Sequence, residues 1–535
     1  MAKAKSDKKA PSSAKDLKDT LWKAADKLRG SMDASQYRDV VLGLVFLKYV
    51  SDAFDERRDA IREELAGESD EYIGESLEDQ DEYRAERVFW VAPKARWSFI
   101  AANAKGIAAS ATDDAQSVGD LIDDAMRTLA EENESLACTL PTVYGRDNMD
   151  QRRLGELVDL MNSVQFSGQG AGRARDLLGE VYEYFLEKFA KAEGKRGGEF
   201  YTPASVVRTL VEILEPTEGR VYDPCCGSGG MFVQAEKFLE RHHQDPTKIS
   251  VFGQELNERT WRLAKMNLAI HGIDTHGLGS RWQDTFARDI HPGVPMDYVL
   301  ANPPFNIKDW ARREDDDRWR FGVPPVRNAN YAWMQHIWSK LSPTGEAGIV
   351  MANGTMTSNT GGEGDIRKMM LEGDIVSCIV ALPGQLFRGT QIPVCVWFFA
   401  RQKGKGASGS QERSRQVLFI DARHLGHMVD RVERALSDDD IQLIANTYRT
   451  WRGRPSADGD YEDVPGFCKS ASLEEIREAQ YALSPGPYVG AAPTPEDAEP
   501  IDDKIVRLTQ ELTAALDESV RLDAVVRARL GDLNA

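Results

Sequence analysis

From Arg220 to Ile420, short runs rich in β-branched and aromatic residues alternate with helical patterns. This rhythm constrains the fold more than any other feature of the chain. Residues 220–222, 249–255, 297–301, 347–352, 375–382, 394–400 and 417–420 have strand character. Between most of them, residues 231–241, 258–271, 330–340 and 364–371 repeat apolar side chains at helical spacing. Such alternation predicts an α/β fold, with a doubly wound parallel sheet covered on both faces.

One of these strands runs straight into Asn302-Pro303-Pro304-Phe305. Two consecutive prolines remove backbone donors and fix the path, and the residue before each proline is pushed out of helix. Asn302 is therefore expected in an extended pose at the carboxyl end of a strand, where open α/β sheets hold their ligands. A carboxamide, a proline carbonyl and an aromatic face converging there can grip a planar amino group and stack on its ring.

A second strand leads into Asp223-Pro-Cys-Cys-Gly227-Ser228-Gly229-Gly230, a glycine turn that opens a helix. Glycines let a ligand approach the backbone, and the helix amino end offers free N–H groups. The dinucleotide fingerprint is not met, because Phe232 stands at its last glycine. The next strand ends in Glu255, where a carboxylate can accept both hydroxyls of a ribose. A third strand position brings Asp284, an acceptor for an adenine amino group. Each acid alone would be an ordinary surface charge; the series, followed by Asn-Pro-Pro-Phe, outlines a site.

The flanks differ in kind. Residues 1–15 are expected to be a disordered basic tail rather than a signal peptide, since no apolar core follows the lysines. Residues 16–165 are expected to be an α-helical domain with its own core, its first helix stopped by Gly30 and its second running through Tyr37 to Val50. The acidic stretch from Glu63 to Glu86 is taken as a loop or solvated face. Residues 166–485 carry the alternating pattern, including a basic Gly/Ser-rich loop at 401–416 suited to phosphate contact. Residues 486–535 comprise a Pro/Ala linker and a terminal helix whose Ile505, Leu508, Leu512 and Leu522 follow a near-heptad seam.

The chain has 535 residues, 41% of them hydrophobic, enough for a large core. Its net charge of −19 argues against a surface that binds nucleic acid as a whole, so positive surface must be local or supplied by a partner. No apolar run is long enough to span a membrane. The six cysteines lack CxxC spacing, which points to a reducing cytoplasm. His424 and His427 have no acidic or cysteine partner motif, and no metal is expected.

Asp223-Pro-x-x-Gly227-Ser228-Gly229 together with Asn302-Pro303-Pro304-Phe305 resembles the amino-methyltransferases that use S-adenosyl-L-methionine, specifically the DNA adenine-N6 class. Glu199-Phe200-Tyr201-Thr202-Pro203 resembles the additional cofactor-binding motif of that class in its amino-terminal circular order. The front with Leu44-Val-Phe-Leu-Lys48, and Phe387-Arg-Gly-Thr-Gln-Ile-Pro393, resemble the modification (M) subunit of type I restriction–modification systems. The likeness runs from about Leu17 to Tyr488.

That resemblance implies a Rossmann-like methyltransferase fold with a helical front. It also implies that Glu199 to Ala204 and Ser228 to Gly230 line the methionine side of S-adenosyl-L-methionine, and that Glu255 holds its ribose. Asp284 faces the cofactor's adenine, although Gln283 stands where the family carries glycine. Asn302 binds the target amino group of an adenine in double-stranded DNA, and Phe305 stacks on the flipped base. A separate specificity (S) subunit reads the sequence, beside a second M subunit, and a restriction (R) subunit joins for cleavage. Two rivals are a glutamine-N5 protein methyltransferase and a non-catalytic assembly subunit. The helical front and terminal seam fit the first poorly, and the intact motifs argue against the second.

Overall fold

The computed structural model describes residues 18, 21–23, 26, 34–109, 114–163, 179–189, 202–387, 392–406, 409–492 and 501–533. They fall into two compact units, one ending at Val489 and one beginning at Gly490.

The first unit is centred on an eight-stranded sheet. Its strands are β1 (Gly219–Asp223), β2 (Ile249–Gly253), β3 (Met296–Ala301), β4 (Leu341–Ala352), β5 (Val376–Ala381), β6 (Val394–Ala400), β7 (Gln416–Asp421) and β10 (Cys468–Ser472). A separate small ribbon pairs β8 (His427–Met428) with β9 (Arg434–Ala435). The order across the sheet is β10-β7-β5-β6-β4-β3-β1-β2. β1 lies parallel to β2 on one side and to β3 on the other, so the chain reverses its direction of winding there. The carboxyl ends of β1, β2 and β3 open a crevice at that point.

The sheet is mixed rather than all parallel. β6 runs antiparallel between β4 and β5, and β10 runs antiparallel on β7. Among the described residues no crossover helix separates β5 from β6, and a parallel return needs one. β10, Cys-Lys-Ser-Ala-Ser, lacks the β-branched residues that revealed the other strands.

Helices cover the sheet. They include α4 (Ala204–Leu214), α5 (Gly230–Arg241), α6 (Glu258–Ile270), α7 (Asn330–Lys340), α8 (Glu363–Glu372) and α9 (Asp438–Arg452). α9 begins in a capping box between Ser437 and Asp440, which satisfies two helix-end donors at once. It clamps the far end of α4: Arg449 Nη2 lies 2.9 Å from the fully buried Glu212, and Arg454 Nη1 lies 3.1 Å from Glu215. Removing either partner would strand a buried charge, at a cost of about 3–5 kcal/mol. α4 is therefore a fixed post, and Thr202 and Pro203 stand at its amino end.

The helical front contains α1 (Ala34–Glu64), α2 (Val118–Glu132) and α3 (Gln151–Ser163). Most of the helix expected before Gly30 lies outside the described residues. The acidic stretch taken as a loop or solvated face forms two short, mostly exposed helices, Asp70–Glu78 and Gln80–Arg84, capped by Ser69 and Asp79. Tyr83 from the second stacks on Phe54 at 4.6 Å. Nor is the front's core wholly its own, because Leu263, Met266, Ala269 and Ile270 of α6 belong to it. Tyr49 donates to the Ile270 carbonyl at 2.7 Å, which docks α1 on α6.

The basic loop 401–416 is pinned at two of its cations, while Lys405 is exposed. Lys403 is 4% exposed and binds Asp374, while Arg413 donates to the Trp451 carbonyl at 2.6 Å. The second unit is helix α10 (Ile501–Leu533), on which Ile505, Leu508, Leu512, Leu516 and Leu522 are exposed. Among the described residues no helix is long and apolar enough to cross a membrane.

Candidate active site

β3 delivers Asn302 to the crevice one residue after its last paired position, Ala301. The Asn302 side-chain Nδ2 donates to Thr202 Oγ1 at 2.9 Å. Its Oδ1 is buried and accepts no hydrogen bond among the described residues. Buried carbonyl oxygens are nearly always satisfied, so an orphan acceptor at a strand end marks a place for a donor from outside. Pro303 is buried, and Phe305 lies half-buried against the core under the sheet.

The turn after Phe305 is locked. Asn306 adopts a left-handed φ of 58°. Its backbone N–H donates to Asn330 Oδ1 at 2.9 Å, and Asn330 Nδ2 donates to Asn306 Oδ1 at 2.9 Å. Asn330 is 3% exposed and opens α7, while Asn306 is exposed, so the clasp is a two-bond contact, buried on one side only, between the motif's exit and a helix end. The Ala329 N–H adds a bond to the Ile307 carbonyl at 3.1 Å.

At the end of β1, Asp223 is 2% exposed, and its Oδ1 accepts the Cys225 N–H at 2.9 Å. Burial, reinforced by the neighbouring Glu255 charge, pushes its carboxyl up to about 7. Gly227 and Gly229 both take positive φ, which lets the chain double back before α5. Nothing lies within 4 Å of where a Gly230 side chain would begin, so space remains over the helix amino end. Glu255 ties this turn to β2: its Oε2 accepts the Gly227 N–H at 3.1 Å and its Oε1 the Asn257 N–H at 2.8 Å.

Asp284 is not on a strand. It lies in the loop before β3, where its Oδ1 accepts the Phe286 N–H at 2.7 Å and the Ala287 N–H at 3.2 Å. The loop is nevertheless fastened to the crevice, since the Gln283 N–H donates to the Glu255 carbonyl at 2.7 Å and Thr285 Oγ1 to the Pro224 carbonyl at 2.6 Å. Thr202, Pro203 and Ala204 stand at the start of α4 beside Asn302. Glu199, Phe200 and Tyr201 lie outside the described residues.

A support missed by sequence reading is the relay Tyr222–His336–Arg318. Tyr222 Oη lies 3.1 Å from His336 Nε2, and Arg318 Nη1 lies 3.1 Å from His336 Nδ1. Burial, with the Arg318 charge beside it, holds His336 down to about 3, so the ring stays neutral. Arg318 also donates to the Thr285 and Phe286 carbonyls and pairs with Asp316, which braces the Asp284 loop. It sits in a run of mixed charges, Asp315-Asp-Asp-Arg-Trp-Arg320, where no local pattern distinguishes it from a surface arginine.

The family described as N-6 DNA Methylase matches residues 173–497, and the family described as HsdM N-terminal domain matches residues 17–161. The methylase subunit of the type I restriction enzyme HindI from Haemophilus influenzae is 45% identical over 424 residues, covering 78% of this chain and 93% of the relative. The MjaIX methylase subunit from Methanocaldococcus jannaschii is 36% identical over 534 residues, covering 97% and 91%. A type I restriction–modification methyltransferase subunit from Streptococcus thermophilus superposes with a TM-score of 0.68 at 25% identity, covering 88% of this chain and 98% of that one. With an Asn302 carbonyl oxygen at the end of β3 that no donor among the described residues satisfies, and a glycine turn at the end of β1, the chain belongs to the N-6 DNA methylase family, as an adenine-specific methyltransferase subunit of the type I restriction–modification kind.

Proposed function

We propose that this chain transfers a methyl group from S-adenosyl-L-methionine to N6 of an adenine swung out of double-stranded DNA, and that Asn302 is the residue that receives the target amino group. The observation that carries this reading is the buried Asn302 Oδ1, which no donor among the described residues satisfies. The N6 lone pair is delocalised into the ring and is a poor nucleophile. Oδ1 and the Pro303 carbonyl can each accept one N–H, which favours a pyramidal nitrogen with its lone pair directed outward. A base inside the stack cannot reach these acceptors, so it must leave the duplex, and Phe305 offers it an aromatic face. Positioning and two aimed acceptors supply the rate, and no strong base is needed.

The residues around the glycine turn fit the cofactor. The doubled-back chain at Gly227 and Gly229, the open space at Gly230 and the Glu255 carboxylate suit its methionine and ribose portions. Asp223, Ser228 and the segment Glu199 to Ala204 complete that side, and Asp284 flanks its adenine. When bound, S-adenosyl-L-methionine supplies an electrophilic methyl on a cationic sulfur.

The domain division follows as part of the same reading: a helical front to about residue 165, the methyltransferase to about 485, then a linker and association helix. The exposed apolar side chains of α10 suit a helix of the specificity subunit, which would choose the target site. A second M subunit and a restriction subunit complete the assembly, in the cytoplasm. Tritiated-methyl transfer tests the function: with the specificity subunit present, label is expected in DNA adenine. Label in protein, or none, would contradict it.

A further inference from the structure

The loop between Phe305 and α7 ends in Gly322-Val323-Pro324-Pro325-Val326-Arg327 before it returns to the Asn330 clasp. Val326 is 61% exposed and Arg327 is exposed beside it. A single exposed valine is ordinary on a protein surface. What sets this one apart is how firmly it is held out.

Three elements brace the tip. Gln335 of α7 grips the strand leading to it, accepting the Phe321 N–H at 2.8 Å and donating to the Gly322 carbonyl at 2.8 Å. Arg312 donates from Nε to the Pro324 carbonyl at 2.9 Å. Pro325 rests on Gly361, in the segment after β4: a side chain there would begin 2.9 Å from the proline ring, and Gly361 has a φ of +64°. Beyond the tip, the Asn328 N–H donates to the Pro325 carbonyl at 3.3 Å, and Ala329 is tied to Ile307. Two prolines remove most of the remaining backbone freedom. An apolar side chain is thus presented rigidly, three residues from the Ala329–Ile307 bond and so close to the Asn302–Phe305 motif.

We propose that Val326 is a duplex wedge: it enters the stack at the gap left when the target adenine leaves, and Arg327 meets the adjoining phosphate. An adenine moved to Asn302 leaves its partner base unpaired and a gap in the stack the size of one base. An apolar side chain filling that cavity repays part of the unstacking, as wedges do in other bent or opened duplexes. The loop runs between the carboxyl ends of β3 and β4, on the edge the duplex must approach for its base to reach Asn302. A rigid tip suits this role because a mobile one would lose entropy on insertion. The proposal rests on Asn302 as the acceptor of the target amino group.

The test uses the full-length chain in the complex that methylates DNA, with two substrates. One has the target adenine in a normal pair; the other places it opposite an abasic site, where it is already free to leave. Val326→Ser should lower kcat/KM about tenfold on paired DNA, a fraction of the few kcal/mol that unstacking costs, and by less than about twofold on the abasic-partner DNA. Val326→Leu should retain activity on both. Gly361→Ala, which displaces Pro325 without altering the exposed side chain, should reproduce the Val326→Ser pattern. Equal loss on the two substrates, or no loss on paired DNA, would overturn the wedge. Failure of the Asn302 reading looks different: Asn302→Ala would then leave transfer intact on both DNAs.

Discussion

Thr202 Oγ1 accepts the Asn302 Nδ2–H at 2.9 Å, so a hydroxyl from the start of α4 anchors one end of the carboxamide and leaves the other, Oδ1, without a donor among the described residues. Were the amide reversed, an NH2 group would meet the adenine amino group donor to donor. Thr202 lies on the segment assigned to the cofactor, yet its contact is with the target side. Thr202→Val keeps the shape and removes the hydroxyl. It should lower kcat by about tenfold, the worth of one orienting hydrogen bond to a buried amide, while Thr202→Ser restores most of it. Single-turnover methyl transfer beside cofactor titration measures both; a purely cofactor-binding role would move only the titration.

Asp223 should make cofactor affinity pH-dependent. Its carboxyl is pushed up to about 7 by burial in the free protein, so below that pH it is largely neutral. A cationic methyl donor favours the carboxylate, so binding should weaken as pH falls through 7, and Asp223→Asn should flatten the profile at the weaker level. Stability has the opposite sign. Between about pH 4, where an unfolded Asp releases its proton, and about 7, where the folded one does, the native state holds the extra proton. Stability from this group therefore falls as pH rises through that window. Asp223→Asn should melt higher than the parent at pH 8. Calorimetric titration and melting at pH 6 and pH 8 check both signs.

Asn330 holds the exit of the catalytic turn. Asn330→Ala removes both hydrogen bonds that the buried Asn330 side chain makes to Asn306 and, at about 0.5–1.5 kcal/mol for each, should cost about 1–3 kcal/mol of stability. The functional effect should fall on kcat rather than on cofactor affinity, because the clasp touches the Phe305 side only. Melting curves with a kcat-against-Kd comparison test this; a change confined to cofactor affinity would contradict it.

Helix α10 should serve assembly alone. Leu508→Glu with Leu512→Glu places charges on side chains that are 47% and 61% exposed here. The pair should abolish co-elution with the specificity subunit while cofactor binding stays unchanged. Retained co-elution would remove α10 from the interface.

The sheet was largely legible because Val221, Val299, Ile349 and Val396 belong to runs whose side chains are buried on both faces. β10 escaped because Cys468-Lys-Ser-Ala-Ser gains its strand from pairing with β7, a nonlocal cause that no local propensity reports. The direction of β6 was hidden for the same reason. Asn302, Asp223 and Glu255 were legible because prolines, glycines and strand ends fix where they stand. Asp284 was found but placed on a strand, since an acid beside an apolar stretch does not reveal that its carboxylate is turned back on Phe286 and Ala287. Arg318, His336 and Asn330 had no signature at all: each matters through partners distant in sequence.

The most direct measurement is methyl transfer by Asn302→Ala and Asn302→Asp, set beside cofactor binding by the same proteins. If the orphan Oδ1 receives the adenine amino group, both variants bind S-adenosyl-L-methionine near the parental affinity. Asn302→Ala then loses at least about a hundredfold in the single-turnover rate, the scale seen when one aimed hydrogen-bonding group is removed from an active site. Parental transfer by Asn302→Ala, with cofactor binding intact, would contradict the account.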